Sequence, residues 1–344
     1  MAKVFCIGEA LIDFIPVQKD TSLKNVAGFE RVAGGAPMNV AIAVAKYGGE
    51  AAMITKMAND HFGEHLMDVL QEHHVDTAHI VRSDEGETGL AFVSVDKTGE
   101  RSFTFYRENA ADLLLKEEEI EEDWFGEGDL LHFCSVNLIH ETIRETHKKA
   151  INSCRKKGGI ISFDPNVRLP LWEDEESCRE AIREFLPMAD LIKISDEELF
   201  FITGIEEEGK AISSLFAGNV KAVIFTKGKN GASLFLEGGQ QFHDPGFQVA
   251  VTDTTGAGDA FIGGFLSKLM ELNVHSEGLV ETINTHHTSL LSFANASGAL
   301  AASVKGAICA AIGKKDVLNL AAAQRNKNIS TINVTLLEAR DLIE

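Results

Sequence analysis

Basic residues are scarce in this chain: 32 lysines and arginines stand against 52 aspartates and glutamates, a formal charge of −20 over 344 residues. Such a surface repels nucleic acid and anionic bilayers, so neither is an expected partner. An anionic ligand would have to be held by local devices: backbone N–H groups, a few basic side chains and a metal ion. No apolar run approaches the roughly 20 residues that cross a bilayer. The opening M-A-K-V-F-C-I-G-E-A enters a strand pattern without a signal-peptide cleavage site, so a soluble, cytoplasmic protein is expected. The cysteines (Cys6, Cys134, Cys154, Cys178, Cys309) are odd in number, scattered and without C-x-x-C spacing. That pattern favours reduced core thiols over disulfides or zinc ligands. The pairs His73-His74 and His286-His287 put neighbours on diverging directions of a helix, which argues against a local metal site. Also missing are a linker rich in Gly, Pro or Ser and any repeat of fixed period.

What is present is an alternation of strand and helix patterns: a strand at Val4–Ile7, a helix at Asn39–Tyr47, a strand at Ala52–Thr55 and a helix at Phe62–His73. Further strands follow at Leu130–Phe133, Ile160–Phe163, Leu191–Ile194 and Val223–Thr226. This order predicts an α/β fold, doubly wound, with a mostly parallel sheet and helices on both faces. Two segments break the rhythm. Gly89 to Arg107 reads as a hairpin with Gly99 in its turn, and Pro16 to Arg31 as a second strand-bearing excursion. The acidic stretch Lys116–Asp123 reads as a solvated helix face.

The most informative segment is V-T-D-T-T-G-A-G-D-A-F, Val251 to Phe261. Val249 and Val251 alternate with polar neighbours as a strand would. The small trio Gly256, Ala257 and Gly258 permits a tight turn, and Phe261, Ile262, Phe265, Leu266, Leu269 and Met270 recur at helical spacing. Asp259 therefore falls in the first turn of a helix. A glycine-lined helix N-terminus is an anion site. A carboxylate beside an incoming phosphate is electrostatically wasteful unless it takes a proton, which suggests phosphoryl transfer to a hydroxyl with Asp259 as base. For an isolated tetrapeptide a tight connection capped by Asp is the simpler reading. Rival phosphate motifs fail: a dinucleotide fingerprint needs glycine where Phe261 stands, and no Gly-Lys-Ser/Thr ending occurs. A nicotinamide-dependent oxidoreductase therefore lacks its fingerprint.

D-T-T-G-A-G-D-A-F-I-G-G-F, Asp253 to Phe265, closely resembles the C-terminal signature of the ribokinase-like (PfkB-type) carbohydrate kinases, and G-G-A-P-M-N-V-A, Gly34 to Ala41, resembles their N-terminal signature. The resemblance runs from about Val4 to about Ile308. It implies a main α/β kinase domain at 1–14, 33–86 and 108–314, and a small β-sheet lid at 15–32 and 87–107 closing over the sugar. Residues 315–344 remain a tail of uncertain structure, and nothing in the family is matched to Asn326–Glu344. The departure begins after Lys305-Gly306-Ala307-Ile308, where Cys309, Ala310 and Ala311 replace the usual proline-containing segment.

By resemblance, Asp259 is the general base, and the N–H groups of Gly256, Ala257 and Gly258 form an anion hole for the γ-phosphoryl group of ATP. Asp13 and Asn39 bind sugar hydroxyls, beside Gly34 and Gly35, which permit close backbone approach. Taken alone, Asp13 is ordinary loop chemistry and Asn39 a helix cap. F-T-F-Y-R-E-N-A-A-D and F-D-P-N-V-R-L-P-L-W look like segments of the fructokinase and 2-keto-3-deoxygluconate kinase branch, placing Arg107 and Arg168 near the sugar; both could instead be surface ion-pair partners. The second of these runs and G-E-A-L-I-D-F look most like bacterial fructokinases. The nucleotide end is assigned to Lys193, Thr226, Gly228, Gly231 and Asn295, although F-A-N-A-S-G-A-L could equally be a close-packed helix. Ser195 stands where the family often has Asn, so Glu198 is the magnesium-linked residue, through water. Asp253 and Thr255 resemble positions supporting a monovalent cation in some relatives, which leaves a need for potassium open. The expectation is an ATP- and Mg2+-dependent sugar kinase acting on fructose, with 2-keto-3-deoxygluconate or ribose as alternative substrates. From a different class, a non-catalytic sugar or nucleotide sensor remains the rival. An exposed lid sheet could also pair across a homodimer.

Overall fold

The computed structural model describes residues 2–18, 21–95, 101–304, 306 and 312–323. A nine-stranded sheet is built from β1 (Val4–Ile7), β4 (Ala51–Ala58), β5 (Ile80–Ser83), β8 (Leu130–Cys134), β9 (Ile160–Asp164), β10 (Leu191–Ser195), β11 (Ala222–Thr226), β12 (Ala232–Leu236) and β13 (Gln241–Asp244). Their spatial order is β13-β12-β11-β10-β9-β8-β1-β4-β5. Only β12 opposes the rest. The remaining strands, β2 (Leu11–Pro16), β3 (Phe29–Gly34), β6 (Leu90–Val95) and β7 (Arg101–Tyr106), form a separate sheet in the order β3-β2-β6-β7.

Every residue of β1, β4, β8 and β9 is buried, as expected of a sheet covered on both faces. Alternate side chains divide between two cores. Val4 and Cys6 pack with α1 (Ala36–Lys46), α7 (Ala257–Met270) and α8 (Leu279–Ala302). Phe5 and Ile7 face the opposite layer of α3 (Glu141–Lys156), α4 (Glu175–Phe185), α5 (Asp196–Thr203) and α6 (Glu208–Ser214). The chain leaves β1 for β4 on one side and later returns with β8 on the other. Sequence order therefore reverses at β1 and β8, and in such sheets ligands bind beyond the strand C-termini at that reversal.

The small sheet runs from Leu11 and, through its second strand, to Gly34, with Phe14 stacked on Phe92 at 4.8 Å across the parallel β2–β6 pair. Phe62 of α2 (His61–Glu72) ties it to the body edge-on at 6.0 Å. The expected hairpin is present as antiparallel β6 and β7. Its turn, with Gly99, lies outside the described residues.

Several expectations are corrected. Residues 245–256 hold no strand, and Val251 is 64% exposed. The N–H groups of Thr252 and Asp253 are captured instead by the Ala302 carbonyl at the end of α8. Lys116–Asp123 forms no α-helix but short 3-10 turns, Glu117–Glu119 and the start of Glu122–Trp124. Crowded like charges disfavour a longer helix. Helix α1 begins before Asn39, with Gly35 as its N-cap and Pro37 in its first turn, so Asn39 is not a cap. Residues 314–323 are helical, and Val317 is buried in a cluster with Tyr47 and Phe293. Cys6, Cys134, Cys154 and Cys178 are buried thiols; Cys309 and Asn326–Glu344 lie outside the described residues.

Candidate active site

A cavity of about 770 Å³ opens beyond β1, β8, β9 and β10, lined in part by Glu9, Asp13, Asn39, Asn166, Arg168, Lys193, Glu198, Gly256, Gly258 and Asp259. Its first wall forms where β1 gives way to β2. Glu9 is 2% exposed; its Oε1 accepts the Ala36 N–H at 2.8 Å, and burial pushes its carboxyl up to about 7. Asp13 lies against Gly34, where a methyl group would fall 2.3 Å from Asp13 Oδ2. Gly35 has φ 107°, and a methyl group there would meet the Glu9 carbonyl at 2.4 Å. Both glycines are steric requirements of this wall.

Opposite, Gly256 at φ 72° turns the chain into α7 and brings Asp259 to the cavity. The three N–H groups expected to form an anion hole are not equivalent. Ala257 donates its N–H to the Thr254 carbonyl at 3.2 Å, closing the turn, and is absent from the cavity lining, whereas Gly256 and Gly258 line it. Asp259 is 8% exposed and accepts from Asn39 Nδ2 at 2.8 Å and from Asn166 Nδ2 at 3.4 Å. Burial raises its pKa above the usual aspartate range; the Asn39 amide, Arg168, Lys193 and the Asn166 amide pull it back.

Below the glycine turn, Lys193 Nζ pairs with Asp164 Oδ2 at 2.8 Å and would lie 3.4 Å from a methyl group at Gly258. Burial holds the Asp164 carboxyl up at about 6, while Asp164 and Glu198 hold the Lys193 ammonium charged. Both Glu198 oxygens already accept protein donors: Oε1 the Val167 N–H at 2.9 Å, and Oε2 the N–H and hydroxyl of Ser195, each at 2.9 Å. Ser195 is thus the N-cap of α5 in a capping box with Glu198. A carboxylate so committed fits a hydrated cation better than direct ligation. Among the described residues no cluster of three His, Cys, Asp or Glu could hold a metal by itself.

The other expected site residues separate into distinct places. Arg168 lines the cavity and donates to the Val167 carbonyl at 2.9 Å. Arg107 follows β7 out of the small sheet and is buried behind the wall, ion-paired with Asp112 and bonded to Asn137 Oδ1 at 2.8 Å; the cavity lining does not include it. Thr226, Gly228, Gly231 and Asn295 are not among the residues that line the cavity, although Thr226 pairs in register with Ser195, which does. A methyl group on Gly231 would meet the Asp244 carbonyl at 2.0 Å, and Asn295 Nδ2 donates to Asp244 Oδ1 at 2.7 Å. Asp253 accepts the Thr255 N–H at 2.8 Å and the Gly306 N–H at 3.1 Å, and the buried Thr255 Oγ1 has no hydrogen-bond partner.

Asn166, Asp164 and Glu9 were not singled out by the sequence reading. All lie beside expected site residues: Asp164 and Asn166 in D-P-N-V-R with Arg168, and Glu9 in G-E-A-L-I-D with Asp13. The available signal for Asn166 was an Asp-Pro-Asn turn after a strand.

The profile of the pfkB family carbohydrate kinases matches residues 1–312. The chain is 39% identical to "Probable fructokinase-5" of Arabidopsis thaliana over 308 residues, covering 89% of this chain and 93% of the relative. Fructokinase from Xylella fastidiosa, solved with bound ATP, superposes with a TM-score of 0.84 at 33% identity, covering 94% of this chain and 99% of that one. A double mutant of fructokinase from Vibrio cholerae O395, solved with fructose, ADP and a potassium ion, superposes with a TM-score of 0.81 at 32% identity, covering 93% and 98%.

Proposed function

The chain belongs to the pfkB family of carbohydrate kinases, and from that premise we propose that it is an ATP-dependent fructokinase with Asp259 as general base. The observation that carries the reading is the placement of Asp259. It is a buried carboxylate on the cavity wall, in the first turn of α7, held by two amide donors. As the fructose hydroxyl attacks, Asp259 takes its proton. Asp13 and the Oδ1 of Asn39, which has no hydrogen-bond partner, orient sugar hydroxyls. The N–H groups of Gly256 and Gly258, at the positive end of α7, stabilise charge on the transferring phosphoryl group. The small sheet acts as a lid that excludes water.

Glu198 would hold a nucleotide-bound magnesium ion through water, and the ion would there neutralise phosphate charge. Thr226, Gly228, Gly231 and Asn295 would bound the nucleoside end, with Lys193 at the phosphates. The unpartnered Thr255 Oγ1 beside Asp253 suits a monovalent cation, and the potassium in the Vibrio cholerae structure supports that assignment. Tyr106, 63% exposed beside the half-buried Phe92, supports pairing of two copies through the lid.

Fructose is favoured over a sugar acid by charge. Glu9, Asp13, Glu197, Glu198 and Asp259 line the cavity against Arg168 and Lys193; Lys193 is already paired with Asp164, and Arg107, one of the two arginines that could receive a carboxylate, is ion-paired with Asp112 behind the wall. The fructokinase relatives support the same choice. A coupled ADP-release assay with fructose, 2-keto-3-deoxygluconate, ribose and glucose tests it, with kcat/KM expected to be highest for fructose. A higher value for 2-keto-3-deoxygluconate, lost in Arg107→Ala, replaces fructokinase by a sugar-acid kinase.

A further inference from the structure

The segment after β9 contains a residue that neither sugar nor nucleotide binding explains. Asn166 has φ 46°, in the left-handed region that Asn tolerates better than most side chains. Its N–H donates to Asp164 Oδ1 at 3.2 Å, and Asp164 is anchored by its ion pair with Lys193. This turn aims Asn166 Nδ2 at Asp259 Oδ1, while Asn39 Nδ2 takes Oδ2 from the other side of the cavity. The two carboxylate oxygens are thus each met by one amide, from residues 220 and 93 positions away.

We propose that Asn166 is a positioning residue for the proton acceptor: with Asn39 it holds Asp259 ionised and fixed in orientation, and the Asp164–Lys193 pair fixes Asn166. The inference rests on Asp259 being the base. An amide N–H bonds more strongly to a carboxylate than to a protonated carboxyl, so the clamp opposes the effect of burial. Other charges act on Asp259 too. Arg168 after β9 and Lys193 on β10 favour the carboxylate; Asp164, Glu198, Glu9, Asp13 and the buried Cys134 thiol surround the same space. Among the described residues the hydrogen bond to Asp259 Oδ1 comes from Asn166, so its loss removes the donor on that oxygen.

The test uses the full-length enzyme, with kcat/KM for fructose measured against pH at saturating ATP. Asn166→Gly keeps the backbone conformation, since glycine adopts positive φ without strain, and removes only the amide. The acid limb of the profile should move up by about one pH unit, with KM for fructose and ATP within about two-fold of wild type. Asn166→Asp places a second carboxyl against Asp259 and should move the limb further in the same direction. Limbs that stay in place in both variants, or a raised fructose KM with an unmoved limb, overturn the proposal and leave Asn166 a substrate contact or a turn residue. Asp259→Asn is run beside them. Should it keep near wild-type turnover, the base assignment itself fails; should it be inactive while the Asn166 profiles are unmoved, only the clamp fails.

Discussion

Replacing Asp259 with asparagine is the most incisive perturbation, because it alters the chemistry at nearly constant shape. The substituted side chain cannot accept the hydroxyl proton, and general base catalysis is worth roughly 10²–10⁴-fold. Two features place the loss toward the upper end of that range. At 8% exposure the site leaves little room for bulk water to act as base, and the amides of Asn39 and Asn166 hold the wild-type carboxylate ready. A fall of about 10³-fold or more in kcat, or about 4 kcal/mol, is expected, with fructose and ATP affinities within a few-fold of wild type. ADP release under single-turnover conditions measures the chemistry, and calorimetric titration measures binding. The variant should not be less stable at neutral pH. The folded-state pKa of Asp259 is raised, so the ionised group costs stability above that pKa, and the cost vanishes below the ordinary aspartate range where folded and unfolded states both hold the proton. A well-folded variant with turnover within ten-fold of wild type would refute the assignment of Asp259 as base.

Three further outcomes follow from the packing. Arg107→Met leaves the buried Asp112 carboxylate without its counter-ion and should cost about 3–5 kcal/mol in denaturant unfolding; a loss under 1 kcal/mol would mean the pair is not desolvated as described. Gly35→Ala forces a methyl group toward the Glu9 carbonyl at a positive φ and should lower stability by more than about 2 kcal/mol and raise fructose KM; an unchanged thermal midpoint would contradict that wall. His132 and His147 are buried neutral, with burial holding them down at about 3 and about 4, whereas the unfolded chain protonates its histidines near pH 6.5. Stability should therefore fall as pH drops from about 6.5 toward 4, by up to about 1.4 kcal/mol per pH unit for each histidine, and His132→Gln should flatten that slope in thermal melts.

The legible parts were those set by local pattern. β1, β8, β9, β10 and β11 were legible within a residue or two, because strands covered on both faces are mostly apolar along their length. The helix carrying Asp259 was read from its 3.6-residue period and the glycines before it. The same logic misread Val249 and Val251, where alternation had no neighbouring strand to pair with and α8 offered a carbonyl instead. It also misread Lys116–Asp123, where acidic composition signals exposure but not helix. Arg107 was legible as a charged residue after a strand, but nothing in its neighbours revealed Asp112 and Asn137 as its partners.

By itself, then, the sequence determined the central strands and the glycine-lined turn into α7, properties of spacing along the chain, and its two signatures carried the resemblance to a kinase family. Tertiary structure alone decided that Asn39 and Asn166 meet on one carboxylate, that Glu9 is buried beside the cavity, and that Ala257 turns its N–H away from it. The reason is physical. Periodicity and backbone preference act between near neighbours, whereas desolvation and hydrogen-bond geometry belong to groups brought together through space, and both exist only once the layers have packed.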